Sequence, residues 1–291
     1  MRKIVFVVLA AASFLVLGSK SAFAQPGAPA VELSGTEFYE FRTSEDTVYE
    51  LYVALPSAYE LDGDAEYPVL YLTDGKISFP LVLQIYKLMV LGDELPPMIL
   101  VGIDRPTKSM PELLASRMLD LTPTEVPEVN EEYSKLFGHE VQSGGAEAFL
   151  SVLENEIIPW VETRYAASDE RGLSGFSLSG LFTAYVLFTS PNLFTSYLIV
   201  SPSVWWDDES IFELEEGYAS EHRDLAARVF LSVGTREGAM MLPNIAKMTE
   251  TLASRGYGSL ELQQHILQDE THLSSIAGAF SRGLVYLFGP Q

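Results

Sequence analysis

The chain has 291 residues, no cysteine, and 40 acidic against 18 basic side chains, for a net charge of −22 at neutral pH. That composition excludes disulfides and cysteine nucleophiles. It also makes nucleic acid and anionic membrane surfaces poor partners.

The first 24 residues read as an export signal. Arg2 and Lys3 open it, an apolar run covers 4–17, and Ala22-Phe23-Ala24 forms a small-x-small cleavage site before Gln25. About 14 apolar residues fall short of the ~20 a helix needs to span a bilayer. The expected product is therefore exported, periplasmic or secreted, and off the membrane once cleaved. Three basic residues and no acid leave with the leader, so the remainder is more acidic still. Residues 25–291 suffice for a single large α/β domain with a buried core, and no repeat or linker divides them.

Pro and Gly crowd 25–35, which reads as a loose arm. Residues 37–42 and 48–55 alternate apolar and polar, as two strands joined by Thr43-Ser44-Glu45-Asp46 do. A polar loop at 56–66 leads into a continuous apolar strand at 68–72, a bend at Asp74-Gly75-Lys76, a helix at 79–91 and a second apolar strand at 98–103. Further strands are expected at 172–174, 196–201, 228–233 and 260–267, with helices at 146–164, 181–190, 242–255 and 274–288. Continuous apolar strands separated by helices indicate a parallel sheet covered on both faces. The expected fold is α/β, with a mostly parallel sheet of about eight strands. Two segments break the rhythm, a long acidic excursion at 107–145 and a shorter one at 205–224. Both leave from strand ends, where ligands bind in open α/β sheets, so both read as walls or lid of a cleft.

The densest chemical signal is Gly175-Phe-Ser-Leu-Ser-Gly180, between a short apolar strand and an apolar helix. A strand that becomes a helix within so few residues passes through a strained bend, and small residues two before and two after the apex let the backbones pass. Gly175 and Ser179 meet that requirement, although Ser179 stands where Gly-x-Ser-x-Gly has its last glycine. Ser177 is then the candidate nucleophile, and the Leu178 amide can donate to an oxyanion.

A serine hydroxyl needs a base. Of four histidines, His265 lies within a strand, and His139 and His222 sit in the excursions. His272, in a loop beyond the last strand, satisfies the order serine, acid, histidine. The acid belongs on the exit of the strand at 228–233, which selects Glu237; a serine–histidine pair without it remains open. A second oxyanion donor is expected from the Lys76 amide, with Gly75 letting the backbone bend inward. This chemistry calls for no cofactor and no metal.

Leu70-Tyr-Leu-Thr-Asp-Gly75, Gly175-Phe-Ser-Leu-Ser-Gly-Leu-Phe182, Ser201-Pro-Ser-Val-Trp-Trp-Asp207, the exit ending in Glu237, and His272 with Ser281-Arg-Gly-Leu-Val-Tyr-Leu-Phe288 occur in one collinear order. Together they resemble the esterase D-like esterase family, and within it the exported siderophore trilactone hydrolases. The resemblance implies an α/β-hydrolase fold, ester hydrolysis through Ser177, Glu237 and His272, and an oxyanion hole at Lys76 and Leu178. It leaves the substrate open, because the family also holds thioesterases, feruloyl and sugar esterases and mycolyl transferases. An acyltransferase is the rival enzyme. A non-catalytic module would have lost the nucleophile, base or hole glycine, and none is missing.

Residues 76–117 carry Lys76, Lys87, Arg105, Lys108 and Arg117 against four acids, a near-neutral window in an acidic chain. The expectation is a positive rim, with Lys76 and Arg105 meeting an anionic ester such as an iron–catecholate trilactone. Trp205 and Trp206 would supply an aromatic wall for a catecholate or aryl ester, the alternative being that at least one of them belongs to the core. The expected partner is a small-molecule ester.

Overall fold

The structure, a computed structural model, describes residues 32–57, 59 and 63–290. The signal read at 1–24 and most of the arm at 25–35 lie outside them. A compact unit runs Gly35–Gln291. Among the described residues no helix is long and apolar enough to cross a membrane.

Eight strands form one sheet: β1 Thr36–Arg42, β2 Val48–Ala54, β3 Tyr67–Thr73, β4 Ile99–Asp104, β5 Ala167–Phe176, β6 Ser196–Val200, β7 Ala227–Gly234 and β8 Leu260–Leu267. Their spatial order is β1-β2-β4-β3-β5-β6-β7-β8. β1 and β2 form an antiparallel hairpin, and β2 pairs antiparallel with β4. From β4 to β8 every pairing is parallel.

The helices are α1 Gly75–Leu91, α2 Met110–Leu121, α3 Pro127–Phe137, α4 Ala146–Val152, α5 Ile158–Arg164, α6 Leu178–Thr189, α7 Ile211–Glu221, α8 Gly238–Arg255 and α9 Ser275–Phe288. Side-chain alternation along β2 shows how they divide. Tyr49 and Tyr52 are three residues apart and so face opposite sides of the sheet. Tyr52 meets Phe79 of α1, while Tyr49 stacks on Phe149 of α4. Both faces are thus covered, which is why β4 and β6 are buried at every position. This is the α/β-hydrolase fold.

Three local departures have physical causes. The run at 146–164 is helical throughout but widens to a π-turn at Leu153–Ile157. Pro159 has no N–H to return to residue 155, so the ladder shifts there. β5 is longer than its apolar stretch, because its first half, Ala167–Arg171, is a polar, partly exposed rung against β3. The excursion at 107–145 is no bare loop. Ser109 caps α2 by accepting from the Glu112 amide and donating to the Glu112 carboxylate, and Pro111 sits in its first turn. α3 begins at Pro127 and ends at Gly138 with φ 74°.

Candidate active site

β5 runs into α6 through one residue. Ser177 sits there at φ 63°, ψ −116°, a conformation rarely populated by non-glycine residues. The surroundings hold it in place. Its amide donates to the Val200 carbonyl, and its carbonyl accepts from the amides of Leu181 and Ser203, each at 3.0 Å. Gly175 is required by space, since a Cβ there would lie 2.1 Å from the Ser179 carbonyl oxygen. Ser179 has a reason of its own. Its buried hydroxyl donates to the Thr73 carbonyl at 3.1 Å and lies 2.6 Å from the Thr73 hydroxyl, tying the bend to the end of β3. The close approach that glycine usually serves falls instead on Gly180, whose Cβ would come within 2.9 Å of the Val200 oxygen.

The Ser177 hydroxyl lies 3.1 Å from His272 Nε2, and His272 Nδ1 lies 2.7 Å from Glu237 Oε2. Two strand exits bring this about. The amide of Arg236 donates to the Glu270 carbonyl, and the amide of Asp269 donates to the Thr235 hydroxyl, so the loops after β7 and β8 are stitched together. Gly234 makes that approach possible, because a Cβ would sit 2.4 Å from the Glu270 oxygen. Phe176 packs on the imidazole, ring centroids 4.5 Å apart.

Glu237 is buried, which pushes its carboxyl upward. Hydrogen bonds from His272, the Ser201 hydroxyl and the Gly234 amide outweigh burial and hold it below the usual range. An ionised carboxylate has only acceptors, so His272 Nδ1 carries a proton and Nε2 is left to accept one from Ser177. The other histidines are elsewhere: His265 stacks on Phe230, His222 on Tyr218 and His139 on Phe137.

The bend after β3 differs from expectation. The Lys76 amide donates to Asp104 Oδ2 at 2.9 Å, so it is not turned toward Ser177. The left-handed residue is Asp74, φ 71°, rather than Gly75. Gly75 is needed for a different reason, because a Cβ would lie 2.7 Å from the β4 backbone at Ile103. Leu178 opens α6, and the first amides of a helix have no acceptor within it.

The model of the Esterase family ("Putative esterase") matches residues 44–266. The chain belongs to that family. It is a carboxylic ester hydrolase. Ferri-bacillibactin esterase BesA of Bacillus subtilis (strain 168) is 26% identical over 285 residues, covering 94% of each chain. The siderophore triacetylfusarinine C esterase of Aspergillus fumigatus is 26% identical, covering 71% of this chain and 70% of that one. Among solved structures, the BES protein from Bacillus cereus superposes with a TM-score of 0.77 at 26% identity, over 90% of this chain and 98% of that one.

Three of the five basic residues expected to form a cationic rim on this esterase, Lys76, Arg105 and Arg117, are ion-paired within the fold. Lys76 Nζ pairs with Glu50 at 2.8 Å and donates to the Arg105 carbonyl. Arg105 forms a two-pronged pair with Asp120, at 2.6 and 2.7 Å, and reaches the Tyr49 hydroxyl. Arg117 does the same with Asp74, at 2.6 and 2.8 Å. Neither the Lys76 nor the Arg105 charge is therefore unpaired, the first meeting half-buried Glu50 and the second buried Asp120. Of the two readings of the tryptophans, the structure takes the core one. Trp205 and Trp206 are 7% and 3% exposed, and Trp206 Nε1 donates to Thr124. Their ring faces are covered, and Trp206 joins the two excursions of the esterase instead of presenting a wall.

Sequence reasoning passed over Ser201, Ser203 and the Asp74–Arg117 pair. The Ser-Pro-Ser string was visible, but nothing in its spacing says that Ser201 reaches Glu237 at 2.6 Å or that Ser203 lies against Ser177.

Proposed function

We propose that the protein is an exported serine esterase that cleaves carboxylic esters of siderophores, trilactones among them, through an acyl-enzyme on Ser177. The observation that carries the mechanism is the continuous hydrogen-bonded chain from Ser177 through His272 to Glu237. His272 Nε2 takes the proton of Ser177 as the hydroxyl attacks the ester carbonyl, and Glu237 stabilises the imidazolium that results. The imidazolium then protonates the departing alkoxide. Water, deprotonated by the same nitrogen, releases the acid. The Leu178 amide receives the oxyanion at the positive end of α6. With the Lys76 amide held by Asp104, the second donor is an amide earlier on the bend, Asp74 or Gly75.

The substrate class rests on the relatives, whose names are those of siderophore esterases, and not on charge, since the basic residues near the bend are paired. The sequence-level leader at 1–24 supports export. The test is a panel of a catecholate trilactone with and without iron, a feruloyl ester, an acetylated sugar and a neutral p-nitrophenyl ester, each with wild type and Ser177→Ala. Trilactone opening to linear products by wild type, with a loss of at least a thousandfold in the variant, is the expected result. A trilactone turned over no faster than the sugar ester would remove the substrate reading. Undiminished turnover by Ser177→Ala would remove the mechanism.

A further inference from the structure

The exit of β6 is a four-residue turn, Val200-Ser201-Pro202-Ser203, that touches the nucleophile and its acid together. The Val200 carbonyl and the Ser203 amide hold the Ser177 backbone from both sides. Ser201, at φ 43°, points its hydroxyl at Glu237. Ser203 is 2% exposed, and the hydrogen-bond contact of its hydroxyl is with Ser177 Oγ, at 3.4 Å. That is long for two hydroxyls, as contacts at an unliganded catalytic group often are.

The direction of this contact follows from proton bookkeeping. Glu237 accepts only, so His272 carries its proton on Nδ1 and accepts at Nε2. Ser177 has one proton, and it points to Nε2. The hydrogen between the two hydroxyls must then belong to Ser203. We infer that Ser203 is a further catalytic residue, a donor to Ser177 Oγ whose main effect is on deacylation. The inference rests on Ser177 being the nucleophile proposed above.

When Ser177 attacks, its oxygen is losing a proton and sharing a lone pair with carbon, so a donor on that oxygen gains little. In deacylation the sense reverses. Water adds to the acyl carbon as His272 Nε2 takes its proton. The tetrahedral adduct then collapses by breaking the bond between carbon and Ser177 Oγ. The electron pair returns to Oγ, which becomes negative until Nε2–H protonates it, leaving a free acid and the original hydroxyl. A hydroxyl hydrogen fixed beside Oγ by the Ser203 backbone stabilises that developing charge without having to reorganise.

The experiment compares wild type and Ser203→Ala on p-nitrophenyl butyrate, whose leaving group makes acylation fast, and on a fluorophosphonate that labels the attacking serine. One hydrogen bond to a developing charge corresponds to about tenfold in rate. The expected result is a kcat about tenfold lower, a KM lowered by nearly the same factor, and a p-nitrophenolate burst rising toward one per enzyme. Labelling of Ser177 should stay within about threefold of wild type, which also shows that the variant is folded. A kcat within twofold of wild type overturns the inference. So does a fall in kcat/KM or labelling as large as the fall in kcat, because Ser203 would then be scaffold only. Absence of labelling at Ser177 in wild type would instead sink the nucleophile assignment itself.

Discussion

Arg117 offers the sharpest test of how the excursion at 107–145 serves the site. It projects from α2, its side chain is 10% exposed, and it grips both oxygens of Asp74, whose side chain is 2% exposed. Its guanidinium also lies 3.5 Å from the Phe176 carbonyl, one residue before Ser177. The excursion is thereby a strut that joins the bend after β3 to the strand leading into Ser177. Arg117→Met keeps the stem and removes the charge. Asp74 is then left buried and unpaired beside Asp104. Breaking a buried pair from one side costs about 3–5 kcal/mol. The loss should therefore be about 3–5 kcal/mol at pH 7.5. The assay is urea unfolding of wild type, Arg117→Met, Asp74→Asn and the double variant at that pH, with kcat alongside. The double variant should regain most of the stability that Arg117→Met loses. The single variant should also lose at least about tenfold in kcat, because the bend loses its anchor. A destabilisation below about 1 kcal/mol at pH 7.5, or a double variant no better than the single, would show the pair to be worth no more than a surface contact.

Asp104 gives a pH test. Burial first, and then the charge of Asp74, raise its carboxyl to about 7. A raised acid stabilises the fold most below its unfolded value and loses that contribution as pH rises through the folded one, so wild type should lose stability relative to Asp104→Asn between about pH 4 and 7, by up to about 1.4 kcal/mol per unit, and run parallel above that; parallel unfolding profiles throughout would refute it. Gly175→Ala should abolish activity and soluble yield, because its Cβ falls 2.1 Å from the Ser179 oxygen. Ser179→Gly should cost about 1–2 kcal/mol of stability for its buried hydrogen bonds and leave kcat within a few-fold; equal effects of these two substitutions would contradict the packing argument. Glu237→Gln should lower kcat by about 10³–10⁴-fold with a small change in KM, since an amide directed at His272 favours the wrong tautomer; a loss under tenfold would mean that serine and histidine act without the acid.

Much of the fold was legible because its strands are continuous apolar runs. 68–72, 98–103, 196–201 and 228–233 have no second plausible reading once helices separate them. α2 and α3 were missed, because a reading based on hydrophobic period passes over their polar segment; the local signals were Ser109-Met-Pro-Glu112 and Pro127 with Gly138. Ser177, Glu237 and His272 could be picked out because strand ends, chain order and residue type restrict each choice to one or two positions.

Charge placement was decided elsewhere. Lys76, Arg105 and Arg117 look alike in a list of basic residues, yet Glu50, Asp120 and Asp74 take up all three, across sequence gaps that no local pattern spans. The Lys76 amide points at Asp104 because β4 runs beside β3 in the sheet, a neighbour set by topology. Ser203 meets Ser177 only because β6 lies against β5 and its exit folds over the bend. Backbone conformation and strand identity are local and written in the chain. Which hydrogen atom faces which oxygen depends on contacts between segments tens of residues apart, and those exist only once the sheet has assembled.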